Sequence, residues 1–118
     1  MSVQLCVVGF FFLLMGVVAF ARPREFLAPY VGITADTPDG RNEIQAVYGG
    51  FGVAMAFVLM SPIWIPAAKT GVTLAVAGAL AGMASGRVIA ALREKPGRWP
   101  LIFFCVEAGG AMLLLSAL

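Results

Sequence analysis

The stretch Arg41-Asn42-Glu43-Ile44-Gln45-Ala46-Val47-Tyr48-Gly49-Gly50 decides how this chain is read. It sets two opposite charges, amide side chains and a tyrosine at the mouth of a run that is otherwise apolar as far as Ser61. Just upstream, Thr37-Pro38-Asp39 has the form of a helix start. The Thr hydroxyl can accept from a free backbone N–H, Pro fits the first helical position, and an acid in the first turn opposes the helix dipole. The motif therefore reads as the first turns of a helix spanning about 38–61, long enough to cross a bilayer. Ala46, Gly50 and Ala54 recur at i+4, a small-residue stripe that lets another helix approach closely. Glu43 lies three residues before Ala46 and is expected to face protein, not lipid.

Outward from this helix the chain divides into further apolar spans. Residues 3–21 are unbroken apolar. Ala19-Phe20-Ala21 resembles a signal-peptide cleavage site, but no Lys or Arg precedes the run, so a retained transmembrane helix is the reading taken. Residues 22–37 form an interfacial loop in which Phe26, Leu27, Tyr30 and Val31 stand among charges, as in a short turn or helix at headgroup depth. Pro62, Trp64 and Pro66 make a tight turn at the far membrane face. A third helix is expected over 67–92 and a fourth over 99–118, the latter anchored by Trp99. In the third, Gly78, Gly82 and Gly86 repeat at i+4, with Gly71, Ala75 and Ala79 as a second small-residue row, both signals of helix packing. The fold class expected is an all-α membrane protein, one four-transmembrane-helix bundle over residues 1–118.

Composition supports this class. Of 118 residues 61% are hydrophobic and 12% charged, about half the charged share of roughly 25% in soluble domains. Mean hydropathy is +0.96. A net charge of +2 is too small to imply a nucleic-acid partner. Histidine is absent, which removes the commonest ligand for haem and metal ions and the commonest general base. No cofactor and no metal are expected. The two cysteines, Cys6 and Cys105, differ in depth by roughly 14 Å at 1.5 Å per residue, beyond the ~7 Å limit for a disulfide. They read as reduced, small packing residues.

Basic residues set the topology. Arg22, Arg24, Arg41, Arg93, Lys95 and Arg98 fall on one face, and Lys69 alone on the other. The positive-inside rule then places the basic loops in the cytoplasm and both termini in the periplasm of a bacterial inner membrane. Within the spans, Arg87 lies about 9 Å from Arg93, and Glu107 about 13 Å from Arg98, measured along each helix. An arginine side chain bridges that difference, so Arg87 and Glu107 are expected to pair. Arg41, Asn42, Glu43 and Tyr48 enter from the same face. These six residues form the candidate buried polar cluster, which either fixes helix register or lines a pocket for a small amphiphile such as a quinone or lipid. Nucleophilic triads are excluded without histidine, and no phosphate-binding Gly-x-x-x-x-Gly-Lys occurs. Glu43 and Glu107 could act as an acid/base pair, as in a membrane isomerase, but neighbouring arginines would keep both ionised. No catalytic residue is assigned, and a non-enzyme is expected.

The motif from Arg41 to Gly50 resembles that of a family of small bacterial four-helix integral membrane proteins of unknown function. The similarity extends to Pro23–Pro29, Thr37-Pro38-Asp39, Gly86-Arg87 and Glu107. Members often carry a basic residue where this chain has Gln45, and alanine where it has Gly40. The resemblance implies a compact four-helix bundle with the motif facing inward, and carries no activity with it. The leading expectation is a non-catalytic accessory or structural subunit of a larger inner-membrane complex of respiratory or photosynthetic type. A carrier or binding protein for a quinone, lipid or other amphiphile is the alternative.

Overall fold

A computed structural model describes residues 2–118. Every regular element among them is helical: α1 (Val3–Ala21), α2 (Ala28–Val31), α3 (Pro38–Ile44), a π-helical stretch (Gln45–Gly50), α4 (Phe51–Met60), α5 (Lys69–Ala91) and α6 (Arg98–Leu115). Four continuous helical segments are long and apolar enough to cross a membrane: Val3–Ala21, Pro38–Ile63, Pro66–Ala91 and Arg98–Leu115. The protein is thus an all-α, multi-pass membrane protein with a four-helix bundle fold.

Span two begins as its sequence dictates. The Thr37 hydroxyl accepts from the Gly40 backbone N–H at 3.0 Å, Pro38 opens the helix, and Asp39 occupies the first turn. The central motif then departs from α-helical geometry. In a π-helix each N–H reaches a carbonyl five residues back, so a turn absorbs about one extra residue. The inner face accordingly passes from Ile44 to Gly49, a step of five, and continues through Gly52, Ala56 and Leu59 at steps of three, four and three. Continued from Ile44 without the π turn, a 3.6-residue period puts the inner face on Tyr48, Phe51 and Met55. The expected Ala46–Gly50–Ala54 stripe is not the seam: Ala46 and Ala54 are exposed and Gly50 is half-buried, and Ala54, two residues from both Gly52 and Ala56, lies on the side opposite them.

The true seam of span two presses on α1. A Cβ on Gly16 would lie 2.7 Å from the Gly49 carbonyl oxygen and from the Val53 nitrogen. A Cβ on Gly52 would lie 2.8 Å from the Phe12 carbonyl oxygen and 3.0 Å from the Gly16 Cα. Backbone meets backbone here, so neither glycine admits a side chain without moving a helix. Gly49 is covered instead by the Phe20 ring, 2.8 Å from where its Cβ would sit.

Two hairpins result, α1 with span two and α5 with α6. They lie side by side in a flattened body of 42 × 33 × 17 Å, about two helices thick. They join at the end that carries the Pro62–Pro66 turn. Leu5, Val8 and Leu59 from the first hairpin interlock there with Val76, Ala77, Leu80, Ala111 and Leu114 from the second. The inner face of α5 is therefore Thr73, Val76, Ala77, Leu80 and Ala84. At about 100° per residue, Gly71, Gly78, Gly82 and Gly86 fall on the opposite side. The expected packing of these rows within the bundle is overturned. Gly71, Ala75, Gly78, Ala79, Gly82 and Gly86 are all exposed, and a Cβ built on any of the four glycines meets nothing within 4 Å. Cys6 and Cys105 are free and exposed, so they line the outer surface and do not act as packing residues.

The first loop is folded, not slack. Arg24 bridges Glu25 and Asp36, each at 2.9 Å, and the Ala35 N–H donates to the Arg24 carbonyl at 3.0 Å. The short helix α2 ends at Gly32, whose φ of 74° lies in the left-handed region that a residue without a Cβ adopts readily. Its Tyr30 ring packs edge-on against Trp99 at 4.8 Å and Phe103 at 5.7 Å, tying this loop to α6 at the basic face.

Candidate functional site

The polar centre of the bundle is one ion pair. Arg87 lies one turn beyond Ala84 on the inner face of α5, and Glu107 one turn before Ala111 on that of α6. The Arg87 Nε donates to Glu107 Oε1 at 2.6 Å and Nη2 donates to Oε2 at 2.8 Å. This two-pronged geometry matches the fork of the guanidinium to both carboxylate oxygens. The Glu107 side chain is 8% exposed and that of Arg87 30%. In hydrocarbon neither charge is tolerable alone, so the pair holds α5 and α6 in one register.

Aromatic rings complete the layer. The Arg87 guanidinium sits 5.2 Å from the Phe103 ring centroid, within cation–π range. Tyr48, from the other hairpin, is half-buried and packs on Phe26 at 5.4 Å. The remaining guanidinium hydrogens of Arg87 have no protein acceptor among the described residues.

Arg41, Asn42 and Glu43 do not join this layer. Asn42 and Glu43 are exposed. The inward placement expected for Glu43 fails because α3 turns Ile44 inward, and Glu43, about 100° away on the same turn, is exposed. Arg41 turns back to the first loop, where its Nη1 donates to the Ala35 carbonyl at 3.3 Å. The cluster of six expected from sequence is therefore two groups: Arg87, Glu107 and Tyr48 inside, and Arg41 with the loop arginines outside. Gln45 has a tying role, its Nε2 donating to the Phe20 carbonyl at 3.2 Å near the end of α1.

Two surface notches flank the bundle ends. One, of about 550 Å³, is lined by Ser2, Leu5, Pro62, Ile63, Pro66 and Lys69. The other, of about 420 Å³, is lined by Ala21, Arg22, Pro23, Arg24, Glu25 and Arg41. Neither reaches the Arg87–Glu107 pair.

Sequence reasoning missed three features: the Gly16 crossing, the Tyr30–Trp99–Phe103 stack and the arginine-lined notch. Gly16 had a visible signal, as the one small residue in the run Phe10–Val18. The stack and the notch had none, because each joins residues whose meeting depends on how the loop folds.

The class defined by fold and layer is a four-span membrane protein whose interior charge is one buried Arg–Glu pair. The chain belongs to the family described as Domain of unknown function (DUF4345), whose family model matches residues 1–118. No curated protein and no solved structure matches it.

Proposed function

We propose that this protein is a non-catalytic accessory or structural subunit of a larger assembly in a bacterial inner membrane, of respiratory or photosynthetic type, with both termini on the periplasmic side. The observation that supports this reading is the outward glycine face of α5. Gly71, Gly78, Gly82 and Gly86 line up on the side turned away from the bundle and touch nothing. A helix surface facing only lipid has no use for a continuous row without side chains, whereas a second transmembrane helix can approach its backbone closely along such a row. The buried layer fits a holding role. Both Glu107 oxygens are engaged by Arg87, which leaves no free carboxylate there to move a proton.

A second reading is an amphiphile-binding or carrier protein that uses Arg87. It is favoured by the unmatched guanidinium hydrogens of Arg87 beside Phe103, which could donate to a quinone carbonyl or a lipid ester. Extraction from native membranes in a mild detergent separates the two readings. Recovery with other membrane proteins in a particle far larger than the 12.4 kDa chain supports the subunit reading. A lone chain with a stoichiometric quinone or lipid contradicts it and supports the carrier.

A further inference from the structure

We infer that the notch formed by Arg22, Arg24 and Arg41 is a binding site for the phosphate of an anionic phospholipid from the leaflet on the basic-loop side. Three observations converge on it. The first is space: the notch of about 420 Å³ lies where α1 ends, walled by Ala21 and Pro23. The second is unspent charge. Of the three guanidiniums, that of Arg24 is taken up by Glu25 and Asp36. Among the described residues Arg22 has no side-chain partner, and Arg41 has only the Ala35 carbonyl at 3.3 Å. Neither forms an ion pair, although Glu25, the one acid in the lining, stands in the same notch. The third is rigidity. The Arg24–Asp36 bridge and the Ala35 N–H to Arg24 carbonyl bond fold the loop back, and the Arg41 bond to Ala35 ties it to α3. The backbone of both unpaired arginines is thus held at one concavity, with the Arg41 guanidinium anchored on Ala35, so binding has only the Arg22 side chain to order.

The position favours a lipid as the source of the phosphate. Ala21 leads from the notch onto the exposed apolar side of α1, where Leu14, Val17 and Val18 are 48%, 53% and 40% exposed. A headgroup in the notch would lay its acyl chains along that surface. Arginine presents paired N–H donors to phosphate oxygens, and a basic pocket at the membrane surface selects anionic headgroups over zwitterionic ones.

The test is native mass spectrometry of the full chain in detergent, titrated with dioleoyl phosphatidylglycerol, with dioleoyl phosphatidylcholine and with inorganic phosphate. The expected result is preferential retention of phosphatidylglycerol, weakened about fivefold by Arg22→Gln and about fivefold by Arg41→Gln, the loss of one juxtamembrane charge each. Lys69→Gln, at the far end of the bundle, retains wild-type binding. Circular dichroism identifies any variant that has lost its helices, and the two single variants each bear on the site independently. Equal retention of both lipids, or unchanged phosphatidylglycerol binding in both arginine variants, overturns the inference. Full competition by millimolar inorganic phosphate overturns the lipid assignment and leaves a free-phosphate site in its place.

Discussion

Glu107 and Arg87 carry the strongest single interaction inside the bundle, and its two prongs at 2.6 and 2.8 Å leave no carboxylate oxygen free. Removing one partner strands the other charge in an apolar layer. Glu107→Gln is therefore expected to destabilise the protein by about 3 kcal/mol, whereas the double change Arg87→Met with Glu107→Leu, which removes both charges, restores most of that loss. Thermal unfolding in detergent measures both. The glycines give a second contrast at this scale. Gly52→Ala drives a methyl into backbone atoms at 2.8 and 3.0 Å and is expected to destabilise the fold. Gly78→Ala meets nothing within the chain and is expected to be neutral or slightly stabilising, since alanine favours the helix by about 1 kcal/mol. The pairing of Arg87 with Glu107 follows from counting residues from a shared membrane face. The fate of Glu43 does not, since it depends on which face of α3 turns inward, and that face carries its neighbour Ile44.

Among the elements, the π-helical stretch Gln45–Gly50 is the one that reorganises its surroundings. It places Ile44 and Gly49 on one face, and so sends Gly49 and Gly52 to α1 where an unbroken α-helix would send Tyr48 and Phe51. This gives a deletion test. Removing Ala46 brings Ile44 and the glycine of the seam to a spacing of four, so an ordinary α-helix then keeps both on the inner face. Removing Ala54 instead rotates Gly52 against Ala56 and Leu59 by about 100°. The Ala46 deletion is expected to retain a folded, monodisperse protein, and the Ala54 deletion to lose it, as judged by size-exclusion chromatography and circular dichroism. The starts and approximate ends of all four spans were legible from hydropathy, prolines and the Thr37 cap. Which face each helix turns inward was not. On α5 the glycine rows looked like the seam, yet the inner face is built from Thr73, Val76, Leu80 and Ala84. Small residues mark a surface that can be approached closely and do not say by which helix.

At the scale of the whole molecule, only 17% to 28% of each apolar span is buried within the chain. Two hairpins joined mainly at one end, with a bare glycine row on the outer side of α5, make a body with a large apolar periphery and one face that carries no side chains along that row. On the subunit reading proposed above, this face is occupied in the native membrane by a different membrane protein. The most direct measurement is the size of the particle extracted from native membranes for the wild-type chain and for Gly82→Leu, with a second, differently tagged copy to detect self-association. The subunit reading predicts that the wild type runs as a large particle containing other membrane proteins and no second copy. It predicts that Gly82→Leu, whose side chain has open space within the chain, runs as a folded monomer. A wild-type chain that runs alone, or a Gly82→Leu chain that stays in the same large particle, would contradict it.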